Sequence, residues 1–306
     1  MHPCPPPSCC LKRYVREMPE FGLIGHPIEH SQSPRLFEEA YHGKYSYDLI
    51  KGEYFEESYA KFLKGYKAVN VTAPFKEKAY AKADIVSGPV ALTGAANILV
   101  KTPEGVSAHN SDFTGVILTV AEALFPGIVR EFYGTFGGNA HIKVHQFVRA
   151  KLEERFGRRP AALVAGLGGA GKAAALAAAE MGFATTVMNR TAAKAEVFVN
   201  GLPEYGFRVS DIGAFTEELH KADLLVYALP MSLDCFKELE PVDFSGKPIV
   251  LEANYRDPAF SGLLHARMLD AGAQYLPGAL WLVNQAVSGY SVMTGEAPDI
   301  DALMSL

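Results

Sequence analysis

Tryptophan occurs once in 306 residues and cysteine four times, and 29 Lys plus Arg stand against 34 Asp plus Glu. Each scarcity closes a class of function. Cys4, Cys9 and Cys10 crowd into the N-terminus and Cys235 stands alone, which is neither a disulfide framework nor the spacing of a four-ligand zinc site, so no metal is expected. A net charge of -5 with no dense basic run cannot neutralise a row of phosphates, and no nucleic-acid partner is expected. No window reaches the ~18 consecutive apolar residues of a membrane helix, and the longest candidate, 161–181, is broken by glycines and a lysine; no membrane partner is expected either. Residues 1–10 are Pro-rich and lack an apolar stretch leading to a cleavage site, which points to cytoplasmic residence. Residues 1–18 read as a disordered tail.

What is present is a globular composition, 49% hydrophobic and 21% charged, at a length that suggests two domains of about 150 residues each. Short β-branched or apolar runs alternate with longer helix-like stretches, the pattern of an α/β fold. The spacing predicts strands at 21–25, 45–50, 68–72, 97–100, 161–167, 185–189, 224–229, 249–253 and 274–276. Helices are expected at 34–41, 56–63, 172–181 and 192–199, the third stopped by Gly182. Between Phe125 and Pro160, four glycines precede Ala140 and a charged amphipathic run follows from Lys143 to Phe156, which reads as a loop and then a connecting helix. His141 and His145 in this stretch read as a solvated surface pair, since no acidic or cysteine partner with ligand spacing follows.

The most specific motif is Gly166-Leu-Gly168-Gly169-Ala170-Gly171, directly after an apolar strand and directly before an alanine-rich helix. Glycines there permit a tight turn and close approach of main chain to a pyrophosphate, whose charge sits on the helix N-terminus. A NAD-specific site would carry Asp or Glu about twenty residues on, at the end of the second strand. Here that strand ends in Asn189-Arg190-Thr191, with Lys194 nearby. Nothing there repels a 2′-phosphate and Arg190 can pair with it, so NADP is the expected cofactor.

Four polar clusters fall at the ends of predicted strands in the first half: Glu29-His30-Ser31-Gln32-Ser33-Pro34, Asn70-Val71-Thr72-Ala73-Pro74-Phe75-Lys76, Gly94-Ala95-Ala96-Asn97 and Asn110-Ser111-Asp112. Their hydroxyls, amides, lysine and carboxylate suit a small polyol. With the glycine loop, these segments resemble, in order, the S-x-S-P, N-V-T-x-P-x-K, G-A-x-N-T, N-T-D and G-x-G-x-x-G/A motifs of the shikimate dehydrogenase family. The resemblance runs from about Phe21 to the C-terminus.

It implies two domains and reversible NADPH-dependent reduction of 3-dehydroshikimate to shikimate. Residues 19–113 with 277–306 would form the α/β substrate domain, and 114–276 a Rossmann-type doubly wound NADP domain from which the C-terminal helix returns. By the family pattern Lys76 and Asp112 are the catalytic pair, Ser31 and Ser33 hold the substrate carboxylate, and Asn70, Thr72, Asn97 and Gln285 hold ring hydroxyls, with Tyr255 also in the substrate set. Leu229 and Gly278 join Gly166, Gly168, Gly169, Ala170, Gly171, Asn189, Arg190, Thr191 and Lys194 as expected cofactor contacts. Independently of the family, oxidising a secondary alcohol releases a proton, which a partly desolvated lysine beside a carboxylate can handle, as carrier or as an electrostatic clamp. The departures are equally specific. The family's N-x-T-P-x-G-M segment is Tyr227-Ala-Leu229-Pro230-Met231-Ser232, its acidic D-x-x-Y segment is Glu252-Ala-Asn-Tyr255, and Asn-Ser-Asp replaces Asn-Thr-Asp. A paralogue acting on quinate, aminoshikimate or another cyclic polyol, and a non-catalytic NADP-binding sensor, are the competing readings; assembly as a monomer or homodimer is expected.

Overall fold

The structure, a computed structural model, describes residues 20–306, so the expected tail at 1–18, with Cys4, Cys9 and Cys10, lies outside the described residues. The chain first builds a six-stranded sheet from β1 (Phe21–Gly25), β2 (Tyr47–Lys51), β3 (Ala68–Val71), β4 (Ile85–Val86), β5 (Ile98–Thr102) and β6 (Gly105–His109), in the order β2-β1-β3-β5-β6-β4. Strands β2, β1 and β3 run parallel, and β5 turns antiparallel to both β3 and β6. The β1 run Phe-Gly-Leu-Ile-Gly is apolar throughout because it is buried on both faces, as expected of a central parallel strand. Helices α1 (Ser33–Tyr41), α2 (Phe55–Gly65), α3 (Lys76–Ala81) and α4 (Gly88–Thr93) connect these strands.

Three helices, α5 (Ser111–Leu124), α6 (Ile128–Phe136) and α7 (Ala140–Phe156), lead into the second sheet. There β7 (Ala161–Ala165), α8 (Gly169–Met181), β8 (Ala184–Met188), α9 (Ala192–Asn200), β9 (Arg208–Val209), α10 (Phe215–Leu219), β10 (Leu224–Tyr227), β11 (Ile249–Glu252), α11 (Gly262–Asp270) and β12 (Gln274–Leu276) follow in sequence. The strands are all parallel in the order β12-β11-β10-β7-β8-β9, the doubly wound arrangement whose order reverses between β7 and β10. Helix α12 (Gly278–Thr294) then returns to the first sheet and α13 (Ile300–Met304) closes the chain against α1. One apolar core runs without interruption from α1 and α12 through α5 and α7 to α8 and β7. No helix of the described residues is long and apolar enough to cross a membrane.

The expected loop from Phe125 to Ala140 is instead helix α6. Gly127 (φ +89°) enters it and Gly137 (φ +58°) ends it, so glycines that read as a loop are its punctuation, and the apolar positions Ile128, Val129 and Tyr133 face the core between them. Helix α7 is likewise more than a connector: Ala140, Val144, Val148 and Leu152, at four-residue spacing, bury a stripe against α5 and α8. That docking overturns the surface reading of His145, whose ring meets Phe113 edge-on at 6.3 Å and whose Nε2 lies 3.0 Å from the Glu180 carbonyl at the end of α8. Strands β4, β6 and β9 carry no sequence signal, being very short or, in β6, mixed polar and apolar.

Helices α5 and α12 make the most extensive contact between any two elements of the described residues. A Cβ on Gly115 would lie 2.8 Å from both Gln285 Cβ and Trp281 Cδ1. Gly115→Ala should therefore lower the unfolding free energy by about 1–3 kcal/mol in urea titration. Gly134→Ala, in the exposed interior of α6 with nothing within 4 Å of the added carbon, should raise it by about 0.5–1 kcal/mol in the same assay.

Candidate active site

A cleft of about 820 Å³ opens between the C-terminal edges of the two sheets. Ser31, Ser33, Asn70, Thr72, Lys76, Asn97, Asp112, Tyr255 and Gln285 line it, facing Gly168, Gly169, Ala170, Gly171, Leu229 and Gly278. Residues more than 250 positions apart in sequence are thus brought to one cavity, Ser31 and Gln285 among them. Gly166, the first glycine of the loop, is not on the cleft wall. Asn189, Arg190 and Thr191, on the largely exposed turn between β8 and α9, and Lys194, in the first turn of α9, lie outside the wall too.

Lys76 Nζ donates to Asp112 Oδ2, and both side chains are largely removed from solvent. Lys76 opens α3, just past the end of β3, while Asp112 lies in the first turn of α5. The cap of α5 is Asn110, whose Oδ1 accepts from Phe113 N at 3.3 Å, so Asp112 is not committed to capping and its carboxylate is free to serve Lys76. Its other oxygen, Oδ1, accepts from Asn97 Nδ2 at 3.1 Å; Asn97 also donates to Ser111 Oγ at 3.0 Å and accepts from Ser111 N at 2.8 Å. Asn97 thereby locks the start of α5 to β5 as well as facing the cleft. A buried carboxylate is tolerable only with such partners, because desolvation disfavours the charge otherwise.

The serine turn is built differently from a simple cap. Helix α1 begins at Ser33 with Gln32 in the cap position but making no cap bond from its own side chain, and Pro34 is its second residue. Ser31 Oγ accepts from Ser33 N at 3.2 Å and donates to Ser33 Oγ at 3.1 Å, so the two hydroxyls sit together beside the amides that open the helix. Asn70 is oriented by Tyr47, whose hydroxyl donates to Asn70 Oδ1 at 2.8 Å. Burial pushes the Tyr47 phenol far above its ordinary pKa, which keeps it a donor.

The glycine loop has the shape of a phosphate cradle. Gly166 adopts φ +99°, and a Cβ there would press against Ala228 at 2.9 Å; a Cβ on Gly171 would fall 1.8 Å from Gly166 O. A Cβ on Gly168 would meet nothing within 4 Å, so the side of the loop facing the cleft is open where a pyrophosphate can approach the first-turn amides of α8. Leu167 N donates to Asn189 Oδ1 at 3.1 Å, which ties this loop to the turn that bears Arg190 and leads into α9 with Lys194, and no carboxylate occurs from Asn189 to Ala195. The residues therefore suit a dinucleotide with a 2′-phosphate.

Sequence reasoning left out several contributors. Ser111 was visible inside the Asn110-Ser111-Asp112 cluster, but its exchange with Asn97 was not. Trp281 lines the cleft, and it also donates from Nε1 to the Asp112 carbonyl at 3.0 Å. Lys172 reaches across from α8 to Glu77 on α3, Nζ to Oε1 2.9 Å, joining the cofactor loop to the residue after Lys76. Buried Glu252 accepts from Ala259 N, from Phe260 N at 3.2 Å and from Tyr275 OH at 2.8 Å, and so shapes the segment that carries Tyr255. No local signal marks Tyr47, whose partner lies on another strand, and the sequence shows Glu252 in an acidic position without showing what it holds.

Residues 23–99 match the family model described as "Shikimate dehydrogenase substrate binding domain". The chain is 30% identical over 297 residues to the shikimate dehydrogenase (NADP(+)) of Natronomonas pharaonis, covering 94% of this chain and 97% of the relative. It is equally 30% identical over 297 residues to the enzyme of the same name from Dinoroseobacter shibae, covering 93% and 95%. Among solved structures, the Mycobacterium tuberculosis shikimate dehydrogenase superposes with a TM-score of 0.72 at 26% identity, over 94% of this chain and 98% of that one. Shared fold, shared length and an intact set of polar clusters agree: the chain belongs to the shikimate dehydrogenase family.

Proposed function

We propose that this protein interconverts shikimate and 3-dehydroshikimate with NADP as the redox partner, acting in the cytoplasm as a monomer or homodimer. The observation that carries the reading is the juxtaposition of the Lys76–Asp112 pair with the glycine loop: a Cβ on Gly169 would lie only 3.1 Å from Lys76 Cδ. An acid–base pair and a dinucleotide cradle so close together are what hydride transfer at a carbinol carbon requires. The division of labour follows the cleft, with residues 19–113 and 277–306 taking the polyol and 114–276 the cofactor.

In this reading the Ser31 and Ser33 hydroxyls hold the substrate carboxylate beside the start of α1. Asn70, Thr72, Asn97 and Gln285 hold the ring hydroxyls, with Tyr255 at the opposite wall. Gly166, Gly168, Gly169, Ala170 and Gly171 would hold the pyrophosphate, Asn189, Arg190, Thr191 and Lys194 the adenosine phosphate end, and Leu229 and Gly278 the rest. When bound, the nicotinamide supplies the two-electron hydride chemistry. Lys76 handles the proton at Nζ: in the reducing direction its ammonium donates to the carbonyl oxygen, and Asp112 keeps it aimed and stabilises its charge. Asn97 leaves Asp112 with no oxygen unsatisfied while this happens.

Initial rates of NADP+ and NAD+ reduction with shikimate and with quinate test the assignment. Turnover with shikimate and NADP+ far above the other three combinations is expected; activity confined to quinate, or none with saturable NADP+ binding, would overturn it. Lys76→Ala should cut kcat by about 10²–10⁴-fold while NADP+ affinity, measured by calorimetry, stays near wild type. Arg190→Ala should raise KM for NADP+ by about tenfold or more and leave KM for NAD+ almost unmoved; equal effects on both would refute the 2′-phosphate role.

A further inference from the structure

Tyr227 is the last residue of β10 and is fully buried. In register it lies between Ala165, the last residue of β7 before the glycine loop, and Glu252, the last residue of β11. Three stretches of main chain therefore leave the sheet side by side: the glycine loop, the turn Ala228–Met231 and the segment beginning at Ala253. All three contribute to the cleft wall. The turn has no polar side chain of its own in Ala228, Leu229 and Pro230, so something else has to fix its course.

The Tyr227 phenol is placed to do so. Its hydroxyl donates to the Met231 carbonyl at 2.5 Å, pinning the far end of the turn back onto the strand it left. Its ring is clasped by Phe236 at 5.2 Å, Phe260 at 5.4 Å and Phe215 at 6.2 Å, so the hydroxyl cannot swing to another acceptor. Main chain at the other end of the turn lies directly on the cofactor loop, since a Cβ on Gly166 would sit 2.9 Å from Ala228 O and 3.0 Å from Leu229 N. Burial, helped by the Glu252 charge, raises the phenol well above its ordinary pKa, so it remains a donor across neutral pH.

We infer that Tyr227 is a positioning residue for the cofactor: its hydroxyl bond to Met231 holds the turn Ala228–Met231 against the glycine loop. This is the position at which the family pattern has asparagine, so the device replaces a polar turn with an apolar one tethered from the core. The inference rests on the dinucleotide reading of the glycine loop, and its consequence is confined to that side of the cleft. Ser31, Ser33, Asn70, Thr72 and Asn97 stand on the side of the cleft built on the first sheet and are untouched by it.

Tyr227→Phe removes one oxygen and keeps the ring. In the ligand-free protein, hydrogen–deuterium exchange at 228–233 should rise, and calorimetric NADP+ affinity should fall about five- to tenfold, the worth of one hydrogen bond. KM for shikimate should stay within about twofold, since uniform binding of the polyol is not altered. Phe244→Leu, in the same apolar core but not among the rings that clasp Tyr227, should lower the unfolding midpoint yet leave exchange at 228–233 and NADP+ affinity near wild type. Unchanged exchange and affinity in Tyr227→Phe, or equal weakening in Phe244→Leu, would overturn the inference. Should the wild type bind NADP+ without oxidising shikimate, the proposed reaction fails while the exchange and affinity measurements still decide the role of Tyr227.

Discussion

The close approach of α5 and α12 is the constraint on which the rest of the site depends. Side chains are absent at Gly115 and at Gly289, where a Cβ would lie 2.8 Å from Ser111 Oγ, and the two helices meet through those gaps. That contact lets Trp281 reach the Asp112 carbonyl and brings Gln285 into the cleft. Further along α12, Tyr290 OH donates to Ser33 O at 3.2 Å, and Thr294 Oγ1 lies 2.8 Å from Tyr41 OH on α1. One helix from the far end of the chain thus braces both the Lys76–Asp112 pair and the serine turn, and dispersion over a long buried interface supplies the rigidity.

Against that frame the electrostatics are economical. The cleft holds one largely buried ion pair, Lys76 with Asp112, and every oxygen of the carboxylate has a donor. Desolvating two charges costs more than a surface pair would return, so such a pair persists only where surrounding dipoles complete it, here Asn97 and through it Ser111. On the facing wall no side-chain charge is needed, because the glycine loop offers main-chain amides at the start of α8. Hydride chemistry asks for that asymmetry: a proton-handling pair on one side and a neutral cradle for phosphate on the other.

Much of this was legible before any coordinates. The Gly166–Gly171 motif lies between strand and helix as its spacing demands, and the nine strands read from apolar runs are all present. Their errors are informative. Thr72, Asn189, Leu229 and Ala253 read as strand residues but lie, half-buried, just past the strand ends, because ladder pairing stops one or two residues before the sequence pattern does. Helix α6 was read as loop because glycines that end a helix and glycines that break one look alike in sequence. The surface reading of His145 failed for a related reason, since which face of α7 is covered depends on α5 and α8, not on α7.

By itself, the sequence determined the fold class, the dinucleotide cradle and the polar clusters, because each is a local pattern: periodicity, glycine at a turn, short side chains at a strand end. Tertiary structure alone decided which partner holds each group. Tyr47 on Asn70, Trp281 on the Asp112 carbonyl, Glu252 under the Tyr255 segment and the Tyr227 hydroxyl on Met231 are contacts made by packing. Apart from the last two, they join residues a strand or a domain apart, and no spacing rule encodes them. A hydrogen bond depends on distance and angle in space, and those exist only once the two sheets and the returning helix have closed on one another.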